Sequence, residues 1–135
     1  MPDRKHILRF RVRYHEIDRM NTVYNSRVLE WFEHGRTEWL RSVGTPYSQM
    51  EARGVLLPLV EAHVEYLGRV GYDEELELTT TAAMAGKARL RFDMHIAHAD
   101  GGKNVARGYT IHAITDPSMR PLRPPAWLLE AMGQA

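Results

Sequence analysis

Asp18 stands in the polar part of EIDRMNTVYNSRVLEW (16–31), seven residues before Asn25 and just ahead of a segment with helical periodicity. The first backbone N–H groups of a helix have no partner within it and carry partial positive charge. Such donors can seat an oxygen on which negative charge develops, and one of them is worth roughly 10²–10³ in rate. A carboxylate in the adjoining loop can reach the carbon that bears this oxygen, or a water attacking that carbon. The spacing suits a plainer role equally well, because aspartates in turns commonly bind their own backbone. Spacing alone leaves both roles open.

The elements that would hold this loop follow from the hydrophobic period. KHILRFRVRY (5–14) alternates, with Leu8, Phe10, Val12 and Tyr14 on one face and Arg9, Arg11 and Arg13 on the other. This predicts a half-buried strand whose arginines are solvated or paired with acidic neighbours. Over 27–43 the pattern changes: Val28, Leu29, Trp31, Phe32, Gly35, Trp39, Leu40 and Val43 keep helical spacing. Asn25 or Ser26 is the expected N-cap, and Gly44 and Pro46 the stop. A glycine inside a helix costs up to about 1 kcal/mol against alanine, so Gly35 points to close packing. Residues 45–54 read as a linker. Extended segments follow at 58–70, 74–84, 88–98 and 105–116, with turn signals at 71–74, 85–87 and 99–104. Such short turns predict that these four strands form an antiparallel meander. RPLRPP then leads into a short apolar helix, AWLLEAM. The expected class is α+β, with an antiparallel sheet wrapped around one long helix whose apolar stripe it buries.

Composition limits the function classes. The 135 residues suit one domain with a substantial core. Lys plus Arg is 18 against 17 for Asp plus Glu, which is no signature of a nucleic-acid partner. The absence of cysteine removes thiol nucleophiles, disulfides and cysteine-based zinc sites. The longest apolar run, VLLPLV at 55–60, is too short for a membrane span, and MPDRKH lacks a signal-peptide core. A cytoplasmic location is the default expectation. His95 and His98, three apart on a strand, point to opposite faces, so a metal site is not expected. No Gly-x-Ser-x-Gly elbow is present, and GGK (101–103) lacks the rest of a P-loop.

Several residue groups together resemble the hotdog-fold thioesterases, in particular the 4-hydroxybenzoyl-CoA thioesterase-like branch. They are Arg13-Tyr14, Asp18, Val23-Tyr24-Asn25, Trp31-Phe32-Glu33 and Arg36-Thr37-Glu38-Trp39-Leu40, with weaker support from Val64-Glu65-Tyr66, Tyr72-Asp73 and Asp116. The resemblance covers nearly the whole chain and implies a single hotdog domain over 1–135. It implies that Asp18 is the catalytic carboxylate, acting as nucleophile or by activating water. It also implies that a backbone N–H at the helix start, at Asn25 with Tyr24 as neighbour, polarises a thioester carbonyl. Asn21 stands where a glycine is common in the family, and asparagine tolerates the left-handed backbone such a turn needs.

The implied substrate is an acyl-CoA thioester, with no cofactor and no metal. Phosphates call for basic groups, and the resemblance places Lys87 and Arg89 near them; a solvated basic face explains those residues as well. Met20, Val23 and Leu59 are candidates for lining the acyl slot, and His63 for lying near the thioester, although core and surface roles suit them too. A homodimer or homotetramer is implied, with Asp18 of one chain near the phosphate-binding residues of another. Two rival readings stand beside acyl-CoA hydrolysis: an acyl-carrier-protein thioesterase, and a hotdog protein that binds acyl-CoA without turnover.

Overall fold

The computed structural model describes residues 4–133; residues 1–3, part of the polar N-terminal stretch, and 134–135 lie outside it. The elements are β1 (Lys5–Arg11), α1 (Asn25–Ser42), α2 (Tyr47–Ala52), β2 (Leu59–Tyr66), β3 (Glu75–Met84), β4 (Arg89–His98), β5 (Asn104–Ala113) and α3 (Ala126–Ala131). The five strands form one sheet in the order β1-β3-β4-β5-β2, every neighbouring pair antiparallel. One row across it runs Leu8, Leu78, Ile96, Ala106, Tyr66. Alternation puts Leu76, Leu78, Thr80, Leu90, Phe92, Met94 and Ile96 on the inner face, all buried.

The long helix α1 covers that face with Val28, Trp31, Phe32, Trp39 and Leu40, also buried. Each such side chain is worth about 1.5–3 kcal/mol of burial. Gly35 sits where helix and sheet approach most closely. A Cβ there would lie 2.7 Å from Thr80 Oγ1 and 2.8 Å from Leu78 Cδ2. The helix thus accepts a poor helix former in order to come down onto the sheet, as its position in the stripe predicts.

Four expectations need correction. β1 ends at Arg11, and Tyr14, expected on its inner face, belongs to a 3-10 turn at Tyr14–Glu16 and is 75% exposed. The 45–54 linker contains α2, which begins directly after Pro46. Pro46 is its N-cap, with φ −58°, and brings no N–H that would go unpaired at the helix start. The N-cap of α1 is Tyr24, with no side-chain cap, rather than Asn25 or Ser26.

The meander comprises only β3, β4 and β5, because β2 pairs with β5 at the sheet edge. Between β2 and β3 the chain must pass three strand spacings, about 14 Å, and the eight residues 67–74 can span roughly 27 Å. This crossing segment is what meets the Asp18 loop. Val23 N–H donates to Val70 O at 3.2 Å, and Tyr72 N–H donates to Asn21 Oδ1 at 3.0 Å.

Candidate active site

The loop between β1 and α1 closes on itself around Asp18. Asp18 N–H donates to Thr22 O at 2.8 Å and Asn21 N–H to Asp18 O at 3.1 Å. The carboxylate contributes one oxygen: Oδ1 accepts from Met20 N–H at 2.8 Å and from Thr22 N–H at 3.1 Å. Among the described residues, nothing donates to Oδ2. Asn21 takes the left-handed backbone, φ +55°, that its side chain tolerates. It also ties the turn to the crossing segment through its Oδ1, a bond that glycine could not make.

Glu16 anchors the loop from beneath. It is fully buried, and its carboxylate accepts from Arg13 N–H at 2.7 Å, Trp31 Nε1 at 2.7 Å and the Arg13 guanidinium at 3.3 Å. Burial pushes its carboxyl up, but the backbone bond from Arg13, the Trp31 bond and the Arg13 guanidinium together outweigh this and hold it below the usual carboxylate range. Its backbone carbonyl accepts from Tyr24 N–H at 3.1 Å, which sets the entry into α1.

At that entry the helix is bare. Tyr24 has extended angles, φ −59° and ψ 137°, and cannot cap with its side chain. Among the described residues, the N–H groups of Asn25 and Ser26 find no acceptor. A helix start normally recruits a Ser, Thr, Asp or Asn side chain for these donors. Asn25 lines a crevice of about 320 Å³ between α1 and the segment after β2, together with Thr22, Val23, Val28, Tyr66 and Arg69 among others. Tyr66 O–H donates to Asn25 O at 2.8 Å, and Arg69 Nη2 donates to Thr22 Oγ1 at 2.5 Å, which ties the segment after β2 to the helix start and to the loop.

Val23 and Asn25 line this crevice, Asp18 is joined to it through the N–H of Thr22, another lining residue, and Tyr24, between Val23 and Asn25, is half-exposed. The other residues singled out in the sequence lie elsewhere within the chain. Met20 is 72% exposed at the loop tip, because the Asp18 turn directs it outward. Leu59 lines a separate cavity farther along α1. His63 lies on the outer face of the sheet, its ring stacked on Tyr109. Lys87 and Arg89, both exposed, stand at the far end of β3 and β4 from the Asp18 loop, ten strand residues or about 30 Å away. Glu16, Trp31 Nε1, Tyr66 and Arg69 were not anticipated. None carries a readable signal of its own: Glu16 is a second carboxylate two residues ahead of Asp18, but the indole that marks it lies fifteen residues on.

The chain matches known proteins along most of its length. The profile of the Thioesterase-like superfamily matches residues 12–132. A Bacillus subtilis protein named "Putative acyl-CoA thioesterase YneP" is 30% identical over 112 residues, 83% of this chain and 81% of its own length. Among solved structures, a hypothetical protein from Aquifex aeolicus superposes with a TM-score of 0.87 at 29% identity, covering 94% of this chain and 98% of that one. The fold is also that of Slr0204, a 1,4-dihydroxy-2-naphthoyl-CoA thioesterase from Synechocystis, at a TM-score of 0.89 and 21% identity over 96% of both chains. The architecture is the hotdog fold that the resemblance implied. The chain belongs to the Thioesterase-like superfamily and is, by that membership, a thioester hydrolase.

Proposed function

We propose that this protein hydrolyses acyl-CoA thioesters at the crevice beside the start of α1, with Asp18 as its catalytic carboxylate. The observation that carries the reading is the bare helix start next to a carboxylate with one unengaged oxygen. A thioester carbonyl oxygen set against the Asn25 and Ser26 N–H groups would gain two donors as negative charge develops on it. Asp18 Oδ2 would then either attack the carbonyl carbon directly or take a proton from an attacking water. Either route cleaves the carbon–sulfur bond with net addition of water, releasing a free acid and coenzyme A. Neither needs a cofactor or a metal.

The same reading includes a homodimer, or a homotetramer built from it, in which β2 edges join and the partner brings its basic turn to this site. Exposed apolar side chains on β2 and just beyond its end support this: Leu59, Val60, Tyr66 and Leu67 are each 42–53% exposed at an unpaired edge. No described helix is long and apolar enough to cross a membrane. The cytoplasmic location belongs to this proposal and is checked by cell fractionation.

The test is thiol release from a panel of acyl-CoAs, wild type against Asp18→Asn. The chain has no cysteine, so a thiol reagent sees only freed coenzyme A. Release that falls by about 10²–10⁴ in the variant is the expected result. Equal release from both proteins would leave the hydrolase reading intact and remove Asp18 from it. No release from any acyl-CoA would shift the reading to acyl-carrier-protein thioesters or to binding without turnover.

A further inference from the structure

Thr22 closes the Asp18 turn from both sides. Its carbonyl accepts Asp18 N–H at 2.8 Å, and its own N–H donates to Asp18 Oδ1 at 3.1 Å. Its hydroxyl reaches across the turn as well, donating to Met20 O in a long bond of 3.5 Å, while Met20 N–H holds the same Oδ1 at 2.8 Å. Whatever fixes Thr22 therefore fixes the direction of the Asp18 carboxylate. Among the described residues, one side chain from outside the loop bonds to Thr22: Arg69 Nη2 donates to its Oγ1 at 2.5 Å.

Arg69 is itself held in place. Before it, Gly68 N–H donates to Val105 O of β5 at 3.1 Å, and after it, Val70 O accepts Val23 N–H at 3.2 Å. Its own carbonyl faces His98 Nε2 of β4 at 3.3 Å, and a carbonyl only accepts, so that nitrogen carries the proton. His98 Nδ1 lies 3.2 Å from Glu74 Oε2, at the other end of the crossing segment. The Arg69 side chain thus starts from a backbone pinned to two strands and closes the gap to the Asp18 turn. The crossing segment meets the loop at two further points, Val70 O with Val23 N–H and Tyr72 N–H with Asn21 Oδ1, and neither involves Thr22. A guanidinium keeps its charge at every working pH, and a charged donor holds its acceptor more firmly than a neutral one.

We propose that Arg69 is a positioning residue for the hydrolysis. Through the Thr22 hydroxyl it holds the Asp18 turn, so that Oδ2 keeps its aim at the thioester carbonyl carbon or at the water attacking it. This rests on Asp18 being the catalytic carboxylate, and it gives Arg69 no contact with the substrate. Misplacing a reacting group by about 1 Å can cost roughly 10² in rate. The loss belongs in kcat, since the link acts on the reacting geometry and not on ground-state binding.

The test is kcat and KM for thiol release in Arg69→Ala, Thr22→Val, Thr22→Ser and the Arg69→Ala, Thr22→Val double variant. Arg69 is exposed, so its loss leaves no buried group unpaired and the variants should melt near the wild-type temperature. Arg69→Ala and Thr22→Val should each lower kcat about 10–10²-fold, with KM changed by no more than about twofold. The double variant should lose no more than either single one, because both cut the same link. Thr22→Ser keeps the hydroxyl and should recover most of what Thr22→Val loses. A raised KM with kcat unchanged in Arg69→Ala would overturn the proposal, because the guanidinium would then bind substrate directly. So would losses that multiply in the double variant, or wild-type kinetics in Arg69→Ala. Equal kcat in Thr22→Val and Thr22→Ser would overturn it through the other partner alone, even if Arg69→Ala fails to fold. Asp18→Asn, measured beside them, separates the two levels. Release lost there but kept in Arg69→Ala removes only Arg69, whereas release kept in Asp18→Asn removes Asp18 and this role together.

Discussion

Asp18 uses only one carboxylate oxygen to hold its loop, and this separates its structural role from its chemistry. Both backbone donors it serves, Met20 N–H and Thr22 N–H, point at Oδ1. An asparagine keeps such a carbonyl oxygen, so Asp18→Asn should retain the turn and lose the reaction. Glu16, two residues earlier, is the opposite case. Its removal in Glu16→Ala leaves the buried Trp31 Nε1 and the part-buried Arg13 N–H without an acceptor. A loss of about 2–4 kcal/mol in urea-unfolding stability is expected, through the desolvation of unmade hydrogen bonds. An unchanged midpoint would show that water replaces the carboxylate there. The two acids look alike in the sequence. Asp18 could be singled out as a candidate because a helix start follows it and a family resemblance points at it. Glu16 could not, because what marks it is an indole fifteen residues away that only the fold brings underneath.

At the scale of elements, α1 carries both the core and the proposed reactive end. Its apolar stripe and Gly35 were readable because a 3.6-residue period marks a helix, and a costly glycine within the stripe marks a close approach to another element. Its N-cap was misplaced for a physical reason: Asn25 and Ser26 are good capping residues, and a helix start is ordinarily capped. Here it is not, and the open donors define the proposed site. α2 escaped notice because six residues are too few to show a period, and the edge position of β2 because a short connection usually means a hairpin. The bare start can be tested without disturbing the helix. Asn25 is the first helical residue, and proline is well tolerated at that position because its missing N–H has no helical partner. Tyr24 already has the extended angles that precede proline. Asn25→Pro should therefore unfold at the wild-type temperature yet release thiol about 10²–10³ more slowly, the value of one lost oxyanion donor. Full activity in this variant would show that the Asn25 N–H takes no part.

Two consequences concern the whole molecule. Burial holds His112 neutral, its pKa lowered from 6.5 to about 4. The unfolded chain takes up this proton below about pH 6.5 and the folded chain only near 4, so stability is complete above 6.5 and declines as pH falls through that window. Glu16 also has a lowered pKa and acts only below the ordinary carboxylate range, so the two windows separate. Melting temperature measured from pH 7.5 to 4 should fall, and His112→Gln should flatten the curve between 6.5 and 4.5. The second consequence comes from the distance within one chain. Lys87 and Arg89 stand about 30 Å from the Asp18 loop, the length of ten strand residues, so they can serve this site only from another protomer. A two-fold axis that joins two β2 edges antiparallel reverses the partner's strands and brings its 85–88 turn to the Asp18 end. The proposed dimer thus has a kinetic signature as well as a mass. Val60, 46% exposed on that edge, is the position to change, because a lysine on an edge strand opposes pairing with another edge. Val60→Lys should sediment as a monomer and stay folded. Its KM for acyl-CoA should rise about tenfold or more, with a smaller change in kcat, since phosphate contacts bind ground and transition states alike. A wild-type chain that sediments as a monomer with full activity would end both the dimer and the shared site.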